Sequence, residues 1–463
     1  MQYLFLPIET PNGFYIYDGN THCIIKVDAD THKSLHGILM DQGGEEGRAR
    51  LHALQAHGFC LESRIEEISH SILDDMPYYV DNQLRMLTLQ VTKNCNLRCS
   101  YCIFSGGYYN REHGTEHMKF ETAIRAIDYA IVHSKNAEEF GFSFYGGEPL
   151  LAFDLIRDCI RYIRTRYPDK NPCLTITTNG TLLYGERLDF LVEEGFDVMI
   201  SLDGPKEMHD ANRKYGDGRG SFEDIMQHLA EIKLKYPKFY SRLRINTVLS
   251  QNHDFSCVKE FYEIDDVLDE IALNVSFVND NNKKEVQSYE ESFLVSYDIE
   301  RIKMLLSMIG LLDESLVSKL TFPYRAELIQ LMEELQMQRP LVGVCHHSGP
   351  CIAGAQRTFV DVDGNFFPCE RVSETSEIMC IGNLDEGIDI EKAAKLVNIG
   401  TYTQEECKGC WNIRSCMLCA ATMDDMGQLS RTLKLKKCAQ SKRNKQLQLK
   451  EVLLLREHGY DLS

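Results

Sequence analysis

The sequence contains no run of about 18 apolar residues, so no membrane-spanning helix is expected. Its first residues, MQYLFLPIETPNGF, lack the basic start and apolar stretch of a signal peptide, and a cytoplasmic protein is expected. Positive charge is also in short supply. Fifty Lys and Arg stand against 69 Asp and Glu, a net charge of −19, which argues against a nucleic-acid partner needing a basic footprint. The basic residues near the end (Lys434, Lys436, Lys437, Lys442, Arg443 and Lys445) read as a solvated helix face. A hydrophobic content of 43% with 26% charged residues is ordinary for a globular chain, and 463 residues hold roughly two to four domains.

Cysteine is what the chain has in plenty. Seventeen in a protein expected in a reducing compartment point to metal ligation rather than disulfides. Cys95, Cys99 and Cys102 form a C-x3-C-x2-C run within VTKNCNLRCSYCIF, Val91 to Phe104, directly after the apolar segment Met86–Val91. Three thiolates on one loop suit a soft metal centre and leave a fourth ligand position open. A structural zinc knuckle is the alternative on spacing alone.

The run, with Tyr101 just before its third cysteine, resembles the signature of the radical S-adenosylmethionine (SAM) superfamily. The resemblance implies a [4Fe–4S] cluster whose open iron chelates the amino and carboxylate groups of SAM. Cleavage of the sulfonium then gives a 5′-deoxyadenosyl radical.

From Met86 the pattern alternates strands and helices. Strands are expected at Met86–Thr92, Glu139–Tyr145, Leu174–Thr178, Asp197–Leu202, Leu243–Leu249 and Ile271–Val278. Helices with apolar residues at three and four fall between them, at Phe120–Ser134, Phe153–Tyr167, Arg187–Glu194, Phe222–Lys235 and Val258–Ile264. Such βα units imply a parallel sheet, here an α/β fold with a partial (β/α)6 TIM-like barrel whose site lies at the strand C-termini.

The second motif, Tyr145-Gly146-Gly147-Glu148-Pro149, follows the second strand. A plain strand-to-helix turn accounts for it: glycines for tight geometry, proline to open the helix. The superfamily resemblance implies that this segment offers backbone carbonyls to the cofactor's ammonium. Asn179, after the third strand, and Ser201, Asp203 and Arg213, around the fourth, match positions near the cofactor ribose and carboxylate. Arg213 is expected to pair that carboxylate bidentately. Asn246 and Thr247 are further candidates, while His209, His253, His346 and His347 read as ordinary polar residues.

Nine of the seventeen cysteines lie between 345 and 438. Eight follow a pattern: Cys345-x5-Cys351, Gly364-x4-Cys369, Cys407-x2-Cys410-x5-Cys416-x2-Cys419, then Cys438. The order resembles the SPASM extension of radical enzymes, which carries two auxiliary [4Fe–4S] clusters and so implies three clusters in all. That resemblance assigns Cys345, Cys351, Cys369 and Cys419 to the first auxiliary cluster. It assigns Cys407, Cys410, Cys416 and Cys438 to the second. The two-residue spacing before Cys419, usually three, is a departure. Glu370, beside Cys369, stands where some relatives carry an acidic base. Cys23, Cys60, Cys159, Cys173, Cys257 and Cys380 are left over and are expected mostly as buried small hydrophobes.

The organisation expected is 1–80, an α+β unit; 81–290, the partial barrel; 291–344, a helical linker; 345–440, the cysteine-rich SPASM domain; and 441–463, a C-terminal helix. The first unit has strand-like runs at 3–8, 13–18 and 22–27 followed by helices near Thr31–Met40 and Glu45–Gly58. That order resembles the winged-helix-like leader-recognition element of peptide-modifying enzymes, where a leader adds a strand to the sheet edge. Together these readings imply a peptide maturase closing thioether crosslinks in a ribosomally made precursor. It would draw electrons from a reductant such as flavodoxin or ferredoxin. Formylglycine formation in a sulfatase, carbon–carbon crosslinking and epimerisation are the enzymatic alternatives. A non-catalytic electron-transfer or zinc-scaffold protein is the alternative of another class.

Overall fold

The computed structural model describes residues 3–103, 107–109, 113–250, 254–279, 281–285 and 288–460. Phe104 and His253 lie outside the described residues. The chain opens with an antiparallel meander, β1 (Phe5–Thr10), β2 (Gly13–Asp18) and β3 (Cys23–Val27), in that spatial order. Helices α1 (Ala29–Leu39) and α2 (Glu45–Ala56) follow. The Asp28 carboxylate caps α1 by accepting the Thr31 N–H at 2.8 Å.

Period-two alternation gives this small sheet two apolar faces. Phe5 and Ile16 point toward Leu35 and Leu51 of its own helices. Ile8, Tyr15 and Tyr17 point the other way, onto helices from the far end of the chain. The unit is therefore held between its own helices and the C-terminal bundle.

Beyond it, β4 (Glu67–Ile68) and α3 (Met76–Asn82) lead into β5 (Met86–Thr92). Strands β6 (Gly141–Gly146), β7 (Cys173–Thr178), β8 (Asp197–Ser201), β9 (Arg244–Leu249) and β10 (Ala272–Phe277) continue a parallel sheet in sequential order. Helices α4 (Phe120–His133), α5 (Phe153–Arg166), α6 (Gly185–Glu193), α7 (Lys206–Asn212), α8 (Phe222–Lys235), α9 (Pro237–Tyr240) and α10 (Phe255–Ile264) occupy the crossovers. Their buried stripes, such as Ala123, Ala126, Ile127, Ala130 and Ile131 on α4, join one continuous core with the strands. β5 is buried along nearly its whole length, as a strand covered on both faces must be.

After α11 (Glu291–Met308), α12 (Phe322–Gln336) and β11 (Val344–Cys345), the chain returns to the sheet. Strand β12 (Thr358–Val360) pairs in parallel with the free edge of β5. Antiparallel β13 (Asn365–Phe367), β14 (Gly382–Asn383) and β15 (Gly387–Ile388) extend it to ten strands. The cysteine-rich region is thus not a separate body but grows out of the edge of the parallel sheet. The buried Gln90 side chain fastens the joint, accepting the Val362 N–H at 3.2 Å and donating to Glu374 at 2.9 Å. Helices α13 (Ile390–Val397), α14 (Gln404–Lys408) and the 27-residue α15 (Arg431–Glu457) complete the chain. α11, α12 and α15 pack through Met304, Leu328, Leu331, Val452 and Leu453 around a buried carboxylate, Glu451, which receives Arg301 at 2.7 Å and Tyr324 at 2.5 Å.

Candidate active site at the cysteine loop

β5 ends at Thr92, and the loop bearing Cys95, Cys99 and Cys102 begins there. The end of β6 lies directly against that loop. Gly147 N–H donates to the Thr92 carbonyl and Glu148 N–H to the Asn94 carbonyl, both at 2.9 Å. A Cβ at Gly146, whose φ is +140°, would sit 2.0 Å from Thr92 O, and one at Gly147 would sit 2.2 Å from Asn94 O. Only glycine allows that backbone approach. The two glycines therefore seat the cysteine loop, a role visible in distances but not in the motif itself.

Glu148 is completely buried and works as a strut. Its carboxylate accepts the Leu150 N–H at 3.0 Å, the Thr178 hydroxyl at 2.8 Å and the Asn179 N–H at 2.7 Å. Pro149 starts the short turn that follows. Burial pushes the Glu148 carboxyl up to about 7 against the pull of those three donors. Asn179 carries the contact onward. Its side-chain amide donates to Asn96 Oδ1 at 2.8 Å and reaches Cys95 Sγ at 3.9 Å. The C-termini of β5, β6 and β7 are in this way locked around the first cysteine.

The second cysteine's side is built by β8 and α7. Asp203, wholly buried, accepts the Tyr101 hydroxyl, Arg213 Nε at 2.9 Å and the Val248 N–H at 3.1 Å. A second Arg213 nitrogen lies 3.3 Å from the other Asp203 oxygen, and the guanidinium stands over the Tyr101 ring at 5.4 Å. Burial pushes Asp203 up, but Arg213, His209 and Tyr101 together hold it below the usual carboxylate range. Two nitrogens of Arg213 thus face Asp203, since a buried carboxylate requires a buried cation. Arg213 also opposes the burial that pushes the Cys99 thiol up to about 12.

His209, expected as an ordinary polar residue, is fully buried and accepts the Asp203 N–H at 3.3 Å. Ser201 lies at the end of β8, 9% exposed, and its hydroxyl makes no hydrogen bond among the described residues. Thr247 is used internally, bonding the Leu202 carbonyl and the Tyr262 hydroxyl, and Asn246 accepts from Asn274.

The chemistry of the donor set at this loop fits a thiolate-held cluster: three soft thiols with one guanidinium beside them. Among the described residues, no three Cys, His, Asp or Glu side chains close on one point as ligands of a single metal ion would.

The C-terminal cysteines fall into two neighbourhoods. Cys419 feels Cys351, and Cys369 feels Cys419. Cys410, Cys416 and Cys438 each feel Cys407, and Cys416 is felt by both Cys410 and Cys438. Cys345, expected with the first set, lies on β11. Strand β11 pairs it with β4, and it shares an apolar cluster with Ile68, Ile413 and Cys407 of the second set. Glu370 is not free: Arg357 donates to both its oxygens, at 3.0 and 3.3 Å.

Lys434 overturns the expectation of a solvated basic face, being 1% exposed among the second set of thiols. Burial lowers its ammonium from the usual range, and Cys407, Cys416, Cys438 and Cys410 oppose that. Its i, i+4 spacing to Cys438 was the available signal. Of the leftover cysteines, Cys60 and Cys159 are buried as expected, but Cys173 and Cys257 are exposed, the former at the rim of β7 and the latter on the outer side of α10.

The second cysteine set also touches the N-terminal unit. Trp411 stands edge-on to Tyr17 at 6.2 Å. Arg414 donates to the Gly19 and Asn20 carbonyls at 2.8 and 3.0 Å, and also to Arg339 O.

Residues 89–263 match the radical SAM superfamily. An uncharacterized protein of Methanocaldococcus jannaschii is 28% identical over 323 residues, covering 70% of this chain and 96% of its own. A cysteine-type anaerobic sulfatase-maturating enzyme of Clostridium perfringens is 25% identical over 348 residues, covering 72% of this chain and 87% of its own. The solved structure of native anSMEcpe with bound AdoMet has a similar fold, with a TM-score of 0.57 at 21% identity. It covers 81% of this chain and 99% of that one.

Proposed function

We propose, on the premise that this chain is a radical SAM enzyme related to the sulfatase-maturating enzymes, that it closes thioether links in a cysteine-containing precursor peptide. The superfamily's [4Fe–4S] cluster and SAM supply the carbon-centred oxidant when bound. The chain's own residues do the rest. Cys95, Cys99 and Cys102 would hold the cluster. Gly146 and Gly147 bring the end of β6 against the loop, and their carbonyls suit an ammonium, which has only donors to offer. Glu148 and Asn179 keep the first cysteine in place, and Arg213 sets a positive charge beside the second. Ser201, with an uncommitted hydroxyl, suits the ribose edge of the cofactor. Tyr101 would act through Asp203, as a positioning residue. Two auxiliary clusters on the C-terminal cysteines would take up the electron left over. Glu370 would serve as base only after leaving Arg357.

The observation that carries the peptide reading is the seating of the N-terminal sheet. Its β2–β3 turn is clamped by Arg414 and Trp411, within the loop that bears Cys410 and Cys416. A leader strand added along the outer edge of β3 would be tied to the cysteine region through those contacts. The sulfatase-maturating structure is matched over 99% of its length while 81% of this chain is covered, so this chain has segments beyond that shared fold.

The second reading, oxidation of a cysteine to formylglycine, is favoured by the C. perfringens relative. The two separate on product chemistry. Incubation with SAM, a low-potential reductant and a cysteine-containing precursor should give a product lighter by two hydrogens per link, with one fewer alkylatable thiol. A product bearing an aldehyde that reacts with a hydrazide would replace the thioether reading with formylglycine formation.

A further inference from the structure

Lys434 carries a charge that no carboxylate among the described residues balances. It lies in the first turn of α15, where the positive end of the helix dipole disfavours a cation. It is 1% exposed, and of its three donors one is used, on the Ile399 carbonyl at 3.1 Å. No carboxylate pairs with it among the described residues. The ionisable groups nearby are His346 and His347, which bring no negative charge, and the thiols of Cys407, Cys410, Cys416 and Cys438. A buried, unpaired ammonium is strongly unfavourable, so a fold that keeps one needs an anion beside it. Four thiols supply it once they ligate iron, because a four-thiolate [4Fe–4S] cluster is a dianion when oxidised and a trianion when reduced.

We infer that Lys434 is the fixed counter-charge of an iron–sulfur cluster held by Cys407, Cys410, Cys416 and Cys438, and that it raises that cluster's reduction potential. The inference rests on the reading that these four cysteines bind a cluster. An added electron strengthens the attraction to a neighbouring ammonium, so Lys434 favours the reduced form over the oxidised one. It is a positioning residue that acts through charge.

The test uses the full chain loaded with iron and sulfide, with Cys95, Cys99 and Cys102 replaced by Ala so that the auxiliary sites alone give signals. A chemical reductant titrates the cluster, followed by electron paramagnetic resonance, with iron and sulfide assayed in parallel. Lys434→Met should disfavour reduction about tenfold or more, a shift of about 59 mV or more to lower potential for one electron. Lys434→Arg should stay near the parent value. If Lys434→Met loses one cluster's iron while Lys434→Arg keeps it, the charge is needed even to hold the cluster, and the inference stands. A loaded Lys434→Met protein at the parent potential overturns it. So does loss of the cluster in both variants, since shape rather than charge would then matter. A parent protein with no auxiliary iron–sulfur signal overturns instead the assignment of the four cysteines.

Discussion

Glu148 gives the sharpest physical test of the active-site architecture. Its carboxyl is completely buried, receives three hydrogen bonds and is pushed up to about 7 from 4.5. A carboxyl whose folded pKa is raised contributes its full stability below the unfolded value, about 4.5, and loses it as pH rises through 7. The separation of 2.5 units corresponds to about 3.4 kcal/mol, at about 1.4 kcal/mol per unit. About 2.5 kcal/mol of it is lost between about pH 5 and pH 8 by the same linkage. Glu148→Gln keeps the shape and removes the titration, so the wild type should lose about that much stability relative to the variant across this range. Paired urea or thermal unfolding curves at several pH values measure the difference. A difference that does not change with pH would show that the three donors hold Glu148 ionised throughout, and would refute the claim that burial dominates. The consequence reaches the chemistry, because Glu148 also fixes the Asn179 N–H, one contact from Cys95.

Replacing Cys95, Cys99 and Cys102 together should abolish formation of 5′-deoxyadenosine from SAM under reduction, while most of the iron, about two-thirds, remains on the other cysteines. Undiminished SAM cleavage would place the active site elsewhere. Asp203→Asn leaves Arg213 buried without its carboxylate and should cost about 3–5 kcal/mol, read as a lowered unfolding midpoint; a neutral result would mean that the pair is not load-sharing in the folded state. Arg414→Ala should loosen the N-terminal unit from Trp411, the one tryptophan in the chain, and change its fluorescence, with SAM cleavage unaffected. An unchanged emission would show that the clamp does not hold the unit.

The sequence alone determined what depends on local order. The period of apolar residues marked the strands and helices: Met86–Thr92 and Phe222–Lys235 lie where the pattern put them, and the other expected elements of the sheet and its crossovers differ by a few residues at their ends, while the short α7 and α9 were not foreseen. The spacing of Cys95, Cys99 and Cys102, and of Gly146 and Gly147, was likewise legible, because a loop and a turn bring such residues together whatever the rest of the chain does. What the tertiary structure decided were partnerships between segments far apart. Arg213 stands near the cysteine loop as the sequence suggested, but its choice of Asp203 depends on how deeply β8 and α7 bury that carboxylate. Lys434 looked like one of several surface bases, and only the packing of α15 against the Cys407–Cys416 loop took it out of water. The seat of Cys345 is set by two residues of β11 pairing with β4, nearly three hundred residues earlier, a contact with no local signature. The same holds for β12, whose three residues join the cysteine-rich region to the edge of β5. Spacing along the chain decides which residues can share a loop, whereas burial and charge balance decide which of them find each other across the fold.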